Sequence, residues 1–244
     1  MKLKIYSALM ALMCVIGLQS CSDDDNQPAV PQEAQRAFAE KYPSATQVEW
    51  ETKSGYYVAD FHDNSYEASA WFSPDGVWHM TETDIPFAGL PELVKSAFEQ
   101  SEYMSWTVDD VDKLERPDME TIYIIEVEKK SQGSEQEMDL YYSAEGILIK
   151  AVADMDGGND HEDLLPSQLP EIILAFINEK YPGSRLVETD MEHGMIEVEI
   201  IHDNLSKDVL FDKDNNWVST SWDIHRSDLP ATITQALAES QYSA

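Results

Sequence analysis

The chain has 244 residues, of which 47 are Asp or Glu and 16 are Lys or Arg, giving a formal net charge of −31. A surface of that sign repels DNA, RNA and anionic lipid head groups, which excludes nucleic-acid binding and charge-driven adhesion to membranes. It favours a cationic partner, although solubility at a crowded cell surface accounts for the charge more simply.

Met1-Lys2-Leu3-Lys4 opens the chain as a short basic region, and an apolar run from Ile5 to Leu18 follows, broken only by Ser7 and Gly17. That run has the length of a signal-peptide core and is too short for a comfortable transmembrane helix. It ends in Leu18-Gln19-Ser20-Cys21, which resembles the lipobox of bacterial lipoproteins, where the cysteine becomes the first mature residue and carries the acyl chains. The resemblance implies a signal peptide at 1–20 and lipidation at Cys21, so that the protein meets the membrane through its anchor alone. Two or more acyl chains, at ~0.8 kcal/mol per buried methylene, make such an anchor stable. The alternative is an ordinary secretory signal cut nearby, with Cys21 left as a free thiol. Residues 21–30 form an acidic tether around Ser22-Asp23-Asp24-Asp25-Asn26. Like charges keep it extended, and it resembles the acidic export signal that carries lipoproteins to the outer face of the outer membrane in one group of Gram-negative anaerobes. The expected location is therefore exported, lipid-anchored in the outer membrane and surface-exposed. Cys14 leaves with the signal, so the mature part has no disulfide and no thiolate metal site.

Self-comparison then organises the rest of the chain. Val30-Pro31-Gln32-Glu33-Ala34, Leu90-Pro91-Glu92-Leu93-Val94, Leu169-Pro170-Glu171-Ile172-Ile173 and Leu229-Pro230-Ala231-Thr232-Ile233 each open a helical pattern with proline at its start. The step from Pro31 to Pro91 equals that from Pro170 to Pro230, and the step between them is longer. Two tandem pairs follow from that spacing, with Pro31 to Pro170 as the offset between them. Tyr42-Pro43 recurs as Tyr181-Pro182, Phe72 as Phe211, Trp78 as Trp217 and Asp84-Ile85 as Asp223-Ile224, all at this pair offset. His62-Asp63-Asn64 recurs as His202-Asp203-Asn204 one step beyond it, which reads as a single residue gained and lost again in the intervening loops. Ala34, Ala37, Phe38 and Tyr42 have helical spacing, as do Leu93, Ala97 and Phe98, and Ile173, Phe176 and Ile177. In Met195-Ile196-Glu197-Val198-Glu199-Ile200 the apolar positions face one way and the glutamates the other, the mark of a half-buried strand. Phe72-Ser73-Pro74-Asp75-Gly76-Val77-Trp78, Tyr142-Ser143-Ala144-Glu145-Gly146-Ile147-Leu148 and Phe211-Asp212-Lys213-Asp214-Asn215-Asn216-Trp217 read as hairpins, with Gly76, Gly146 and Asn215 at the position of positive φ.

The fold class is accordingly α+β, in tandem repeats of one helix plus a roughly four-stranded antiparallel sheet. The units are 31–89 and 90–153 as a pair (31–153), an acidic linker at 154–166, and 167–244 as a third unit with a partial fourth. Units of about 60 residues are marginal alone, so neighbours join sheets or helices. The chain stops at Ala244 just after the fourth helix, either because the unit is cut short or because the third sheet borrows that helix as a cap. A helix opening on Leu-Pro and closing on Tyr-Pro, an aromatic–Asp-Gly–Trp hairpin and a Thr-rich strand ending Asp-Ile resemble the PepSY-like, beta-lactamase-inhibitor-like (BLIP-like) lipoprotein family. The resemblance covers nearly all of the mature chain and implies helix-plus-four-strand tandem modules. The second unit departs from it, since Glu99-Gln100-Ser101-Glu102-Tyr103 lacks the proline and Leu148 replaces the tryptophan.

No catalytic signature accompanies this architecture. The six histidines have no ligand spacing, and no nucleophile elbow, phosphate loop or dinucleotide fingerprint is present. The chain reads as non-enzymatic and without a cofactor. His62 and His202 recur at equivalent turns, as a paired site or, more simply, as turn formers. Asp154, Asp156, Asp160 and Glu162 are weak candidates for a cation, lacking the glycine and terminal glutamate of a calcium loop. Tyr56, Tyr57, Trp71, Trp78, Trp217 and Trp222 lie in or beside strands. Core packing accounts for them, but as a stripe on an open sheet face they form a candidate surface for a protein, peptide or glycan. The first expectation is a non-catalytic protein- or peptide-binding module, inhibitor-like in kind; the alternatives are a glycan-binding or nutrient-capture lipoprotein and an envelope cation buffer.

Overall fold

The computed structural model describes residues 28–131, 134–153, 161–224 and 226–240. Cys21, the tether before Pro28 and the linker carboxylates Asp154, Asp156 and Asp160 lie outside the described residues. Four helices start directly after the four prolines: α1 (Gln32–Lys41), α2 (Glu92–Glu99), α3 (Glu171–Lys180) and α4 (Ala231–Ala238). Each proline is the N-cap, with φ from −57° to −53°. The ring fixes that angle, and the missing N–H is one that has no helical partner at this end. α1 and α3 stop at Tyr42 and Tyr181 because the following Pro43 and Pro182 push the preceding residue out of the helical region.

Between the helices run β1 (Thr46–Lys53), β2 (Tyr56–Asp63), β3 (Tyr66–Phe72) and β4 (Trp78–Asp84); β5 (Thr107–Glu115), β6 (Ile122–Ser131), β7 (Ser134–Ser143) and β8 (Leu148–Ala153); and β9 (Arg185–Glu192), β10 (Met195–His202), β11 (Leu205–Phe211) and β12 (Trp217–Ser221). Among the described residues the class is mixed, with four α-helices, three short 3-10 turns and two antiparallel sheets. β1 to β8 form one eight-stranded meander in chain order, fused across the first two units where β4 pairs β5 from Thr81↔Glu115 to Asp84↔Asp112. β9 to β12 form a separate four-stranded sheet.

The three long hairpins share one hydrogen-bond pattern. Ser73, Ser143 and Asp212 each receive an amide bond from the residue three positions on and donate their own amide to the carbonyl four positions on, at 2.9–3.0 Å. Gly76 and Gly146 have φ of +84° and +77°. Glycine is required there twice over, because a Cβ on Gly76 would lie 2.7 Å from the Glu33 carbonyl oxygen and one on Gly146 would strike that of Leu93. The hairpin thus presses against the first turn of the helix of its own unit.

Alternation gives each sheet two different faces. Phe38 of α1 packs on Ala59, Phe61, Ala70 and Phe72; Val94 and Phe98 of α2 pack on Ile125, Val127, Leu140 and Tyr142; Ile173 and Ile177 of α3 pack on Val198, Ile200, Val209 and Phe211. The opposite face of the large sheet makes a central core from Val58, Trp71, Met80, Leu114, Ile122, Ile124 and Tyr141. Against these pack Val187 and Ile201 of the small sheet and Leu164 of the stretch read as a linker. α4 buries none of its residues, and Ile233 is 51% exposed. It does not cap the third sheet.

The strand registers correct one reading of the sequence. Phe61 pairs Ala68 and Ile200 pairs Lys207, so β2 and β10 keep the same pair offset as the helices, with nothing gained or lost between them. The His-Asp-Asn triplets, one step further apart, are therefore out of register by one, and a one-residue slip turns a side chain to the other face. His62 pairs with Glu67 at 3.4 Å, whereas His202 lies beside Lys207 and edge-on to Tyr181. They form no paired site.

Candidate functional site

The predicted aromatic surface is divided by the fold. Trp71 is 1% exposed and belongs to the central core, because the face of β3 expected to be open is covered by the fused sheet and the third unit. Tyr56 packs half-buried on that core, edge-on to His79 at 5.0 Å. Tyr57, one residue on, is half-buried on the helix-facing side of β2.

Trp78 and Trp217 hold helix to sheet. The indole N–H of Trp78 donates to Thr81 Oγ1 at 2.8 Å, the same hydroxyl bonds the Tyr42 phenol, and Lys41 lies 3.5 Å over the Trp78 ring. The third unit reproduces every part: Trp217 donates to Thr220 at 3.0 Å, Tyr181 bonds Thr220 at 2.6 Å, and Lys180 lies 3.6 Å over Trp217. A strand tryptophan, a threonine three residues on, and the tyrosine and lysine that close the helix thus form one latch, made twice. Thr81, Thr220, Lys41 and Lys180 were not singled out in the sequence, although they recur at the pair offset and could have been read from it.

Trp222 is 48% exposed and lines a cleft of about 1080 Å³. The faces of β9, β10 and β11 turned away from α3 supply Glu188, Glu197, Glu199, Ser206 and Asp208. β8 of the large sheet and the segment after β12, with Trp222, Asp223 and Ile224, supply much of the rest. Seven carboxylates line it against one ammonium, Lys150, which lies 2.7 Å from Glu188. Burial raises the Glu199 carboxyl to about 7; the Ser206 hydroxyl, donating at 2.8 Å, opposes this, and Glu188 adds to it. Burial followed by Asp208 raises Glu197, and burial followed by Asp223 raises Asp208. Carboxylates held above their ordinary range by burial, and further by one another, favour a cationic group that would join them in the cleft. Among the described lining residues there is neither His nor Cys, and the one lining serine hydroxyl donates to Glu199. The arrangement suits binding a cationic group. Glu162, the one candidate cation ligand of the linker within the described residues, accepts a hydrogen bond from Ser54.

Residues 55–150 and 197–244, together more than half of the chain, match the family described as beta-lactamase-inhibitor-like, PepSY-like. The chain belongs to this family. A BLIP-like protein from Bacteroides fragilis is 37% identical over 57% of this chain and 97% of its own, with a TM-score of 0.51. A DUF2874 family protein from Bacteroides uniformis is 30% identical over 51% of this chain and 89% of its own, with a TM-score of 0.48. A protein from Bacteroides eggerthii described as periplasmic is 28% identical over 52% and 90%, also at 0.48. No curated protein matches the chain. Among the described residues, no helix is long and apolar enough to cross a membrane.

Proposed function

We propose that this member of the PepSY-like family is an exported, lipid-anchored and non-catalytic binding module, built from recurring helix-plus-four-strand units, that takes a cationic segment of a protein or peptide into the acidic cleft of its small sheet. The carrying observation is the cleft itself: seven carboxylates, several held above their ordinary range, beside an exposed Trp222 ring. A Lys- or Arg-bearing peptide would supply the missing charge, and Trp222 would offer it an aromatic face. The BLIP-like neighbour supports a binding role rather than catalysis, and the lipobox at Cys21 supports the anchor. A glycan reading asks for paired exposed rings, and among the described lining residues Trp222 is the sole aromatic.

Titration calorimetry with a Lys/Arg-rich peptide tests the binding reading. Affinity is expected to fall with added salt, to fall with Trp222→Ala, and to fall further in a Glu197→Gln, Glu199→Gln, Asp208→Asn triple variant. Equal binding of an acidic peptide of the same length, or an unchanged affinity in the triple variant, removes the proposal. Metabolic labelling with a fatty acid tests the anchor separately: Cys21→Ala is expected to lose the label and leave the membrane fraction.

A further inference from the structure

Three side chains far apart in sequence meet between the sheets. Glu82 on β4, Asp112 on β5 and His161 in the segment leading into α3 each offer a ligand atom within 4.8 Å of the other two. Alternation places Glu82 with Met80, and Asp112 with Leu114, on the face of the large sheet that builds the central core. Asp112 is 4% and His161 5% exposed. Asp112 Oδ2, Glu82 Oε2 and His161 Nδ1 are all buried without a hydrogen-bond partner. Nδ1 lies 3.3 Å from Glu82 Oε1, an ion-pair distance without hydrogen-bond geometry. Three convergent buried atoms left unsatisfied are a cost that a folded protein ordinarily removes.

We propose that Glu82, Asp112 and His161 form a binding site for a divalent transition-metal ion of the zinc class. Zinc takes imidazole nitrogen and carboxylate oxygen at about 2.0–2.2 Å, so two ligands on a tetrahedron stand roughly 3.3 Å apart, the separation seen between His161 and Glu82. Two carboxylates balance the charge of a divalent ion, and the single nitrogen donor selects against Ca2+ and Mg2+, which seek six or more oxygens. Three protein ligands leave a position for water. The ion would tie the segment entering α3, through His161, to the middle of the eight-stranded sheet, close to the β4–β5 seam. None of the three residues lines the acidic cleft, so this site stands apart from the peptide-binding reading.

Calorimetry of the purified full-length protein, stripped with chelator and titrated with ZnCl2, provides the test. One saturable site per chain is expected, with a rise in Tm on loading. Asp112→Asn keeps the shape of the carboxyl and relieves buried like charge, so the stripped variant should fold at least as well as the parent. Its zinc affinity, and that of His161→Gln, should fall by more than the roughly 10–100-fold that losing an outer partner of a metal ligand costs. No saturable zinc binding in the parent overturns the proposal. So does zinc binding that survives both substitutions, or Ca2+ binding equal to zinc's in all three proteins, since either places the metal on surface carboxylates.

Discussion

The first and third units build the same layers and use most of their second sheet face differently, although Val187 and Ile201 of the third unit still pack on the central core. At the offset set by the strand registers, Val58 corresponds to Glu197, Trp71 to Leu210 and Met80 to Ser219. In the first unit these positions are apolar and buried, and they carry the large sheet onto the rest of the molecule. In the third they are polar or half-exposed and belong to the sheet that floors the acidic cleft. The helix-facing sides of the two units share an apolar centre and the Trp–Thr–Tyr–Lys latch, with Lys207 standing where the first unit has Ala68. One face is thus fixed by the unit's own need to cover its helix, while the other is free to become either core or binding surface.

The largest expected effect falls on that contrast. Trp71→Ala should cost about 3–5 kcal/mol, since it empties a large buried site, whereas Leu210→Ala at the matching position should cost about 1 kcal/mol because its side chain is only partly buried. Denaturant unfolding of the two variants measures the difference, and equal costs would erase the distinction between the faces. Next come the latches. Thr81→Val leaves the Tyr42 hydroxyl and the Trp78 N–H without their partner at a buried position, so a loss of about 1–3 kcal/mol is expected. Thr220→Val, at a half-exposed position where water can substitute, should lose about 0.5–1 kcal/mol. Thermal melts of both report whether the latch is worth more where it is dry.

A further effect is a pH dependence at Glu199 in the third unit. The Glu199 carboxyl keeps its proton up to about pH 7 in the folded chain, against an ordinary value of 4.5. Across that window the folded state binds more protons than the unfolded one, so its contribution to stability falls as pH rises. Glu199→Gln should match the parent near pH 4 and exceed it above pH 7 by on the order of 1–2 kcal/mol, discounted for partial solvent access. A gain of the same size at pH 4 would mean that packing, not charge, is responsible.

Most of the local architecture was legible in the sequence. Prolines at recurring intervals marked the helix starts, the aromatic–Gly hairpins marked the turns, and the alternation from Met195 to Ile200 placed Glu197 and Glu199 together on one face. The His-Asp-Asn recurrence misled because identity of residue was read as identity of position, and only strand pairing shows that the two triplets differ by one step. Trp71 was read as a surface candidate because a β-strand with aromatics on both faces does not say which face a distant unit will cover.

Glu82, Asp112 and His161 illustrate the remaining gap. Widely separated along the chain, they carry no spacing that a local pattern could detect, and they meet only because β4 pairs β5 and the segment before α3 folds back between the sheets. The sequence alone determined the helix and strand content, the turns, the family and the overall charge, since each of these depends on backbone preferences and periodicity within a few residues. Tertiary structure alone decided which sheet face became core, which became an acidic cleft and which polar groups were sealed between them. Those outcomes depend on long-range packing, where burial of one face by another element sets both the cost and the use of every charge on it.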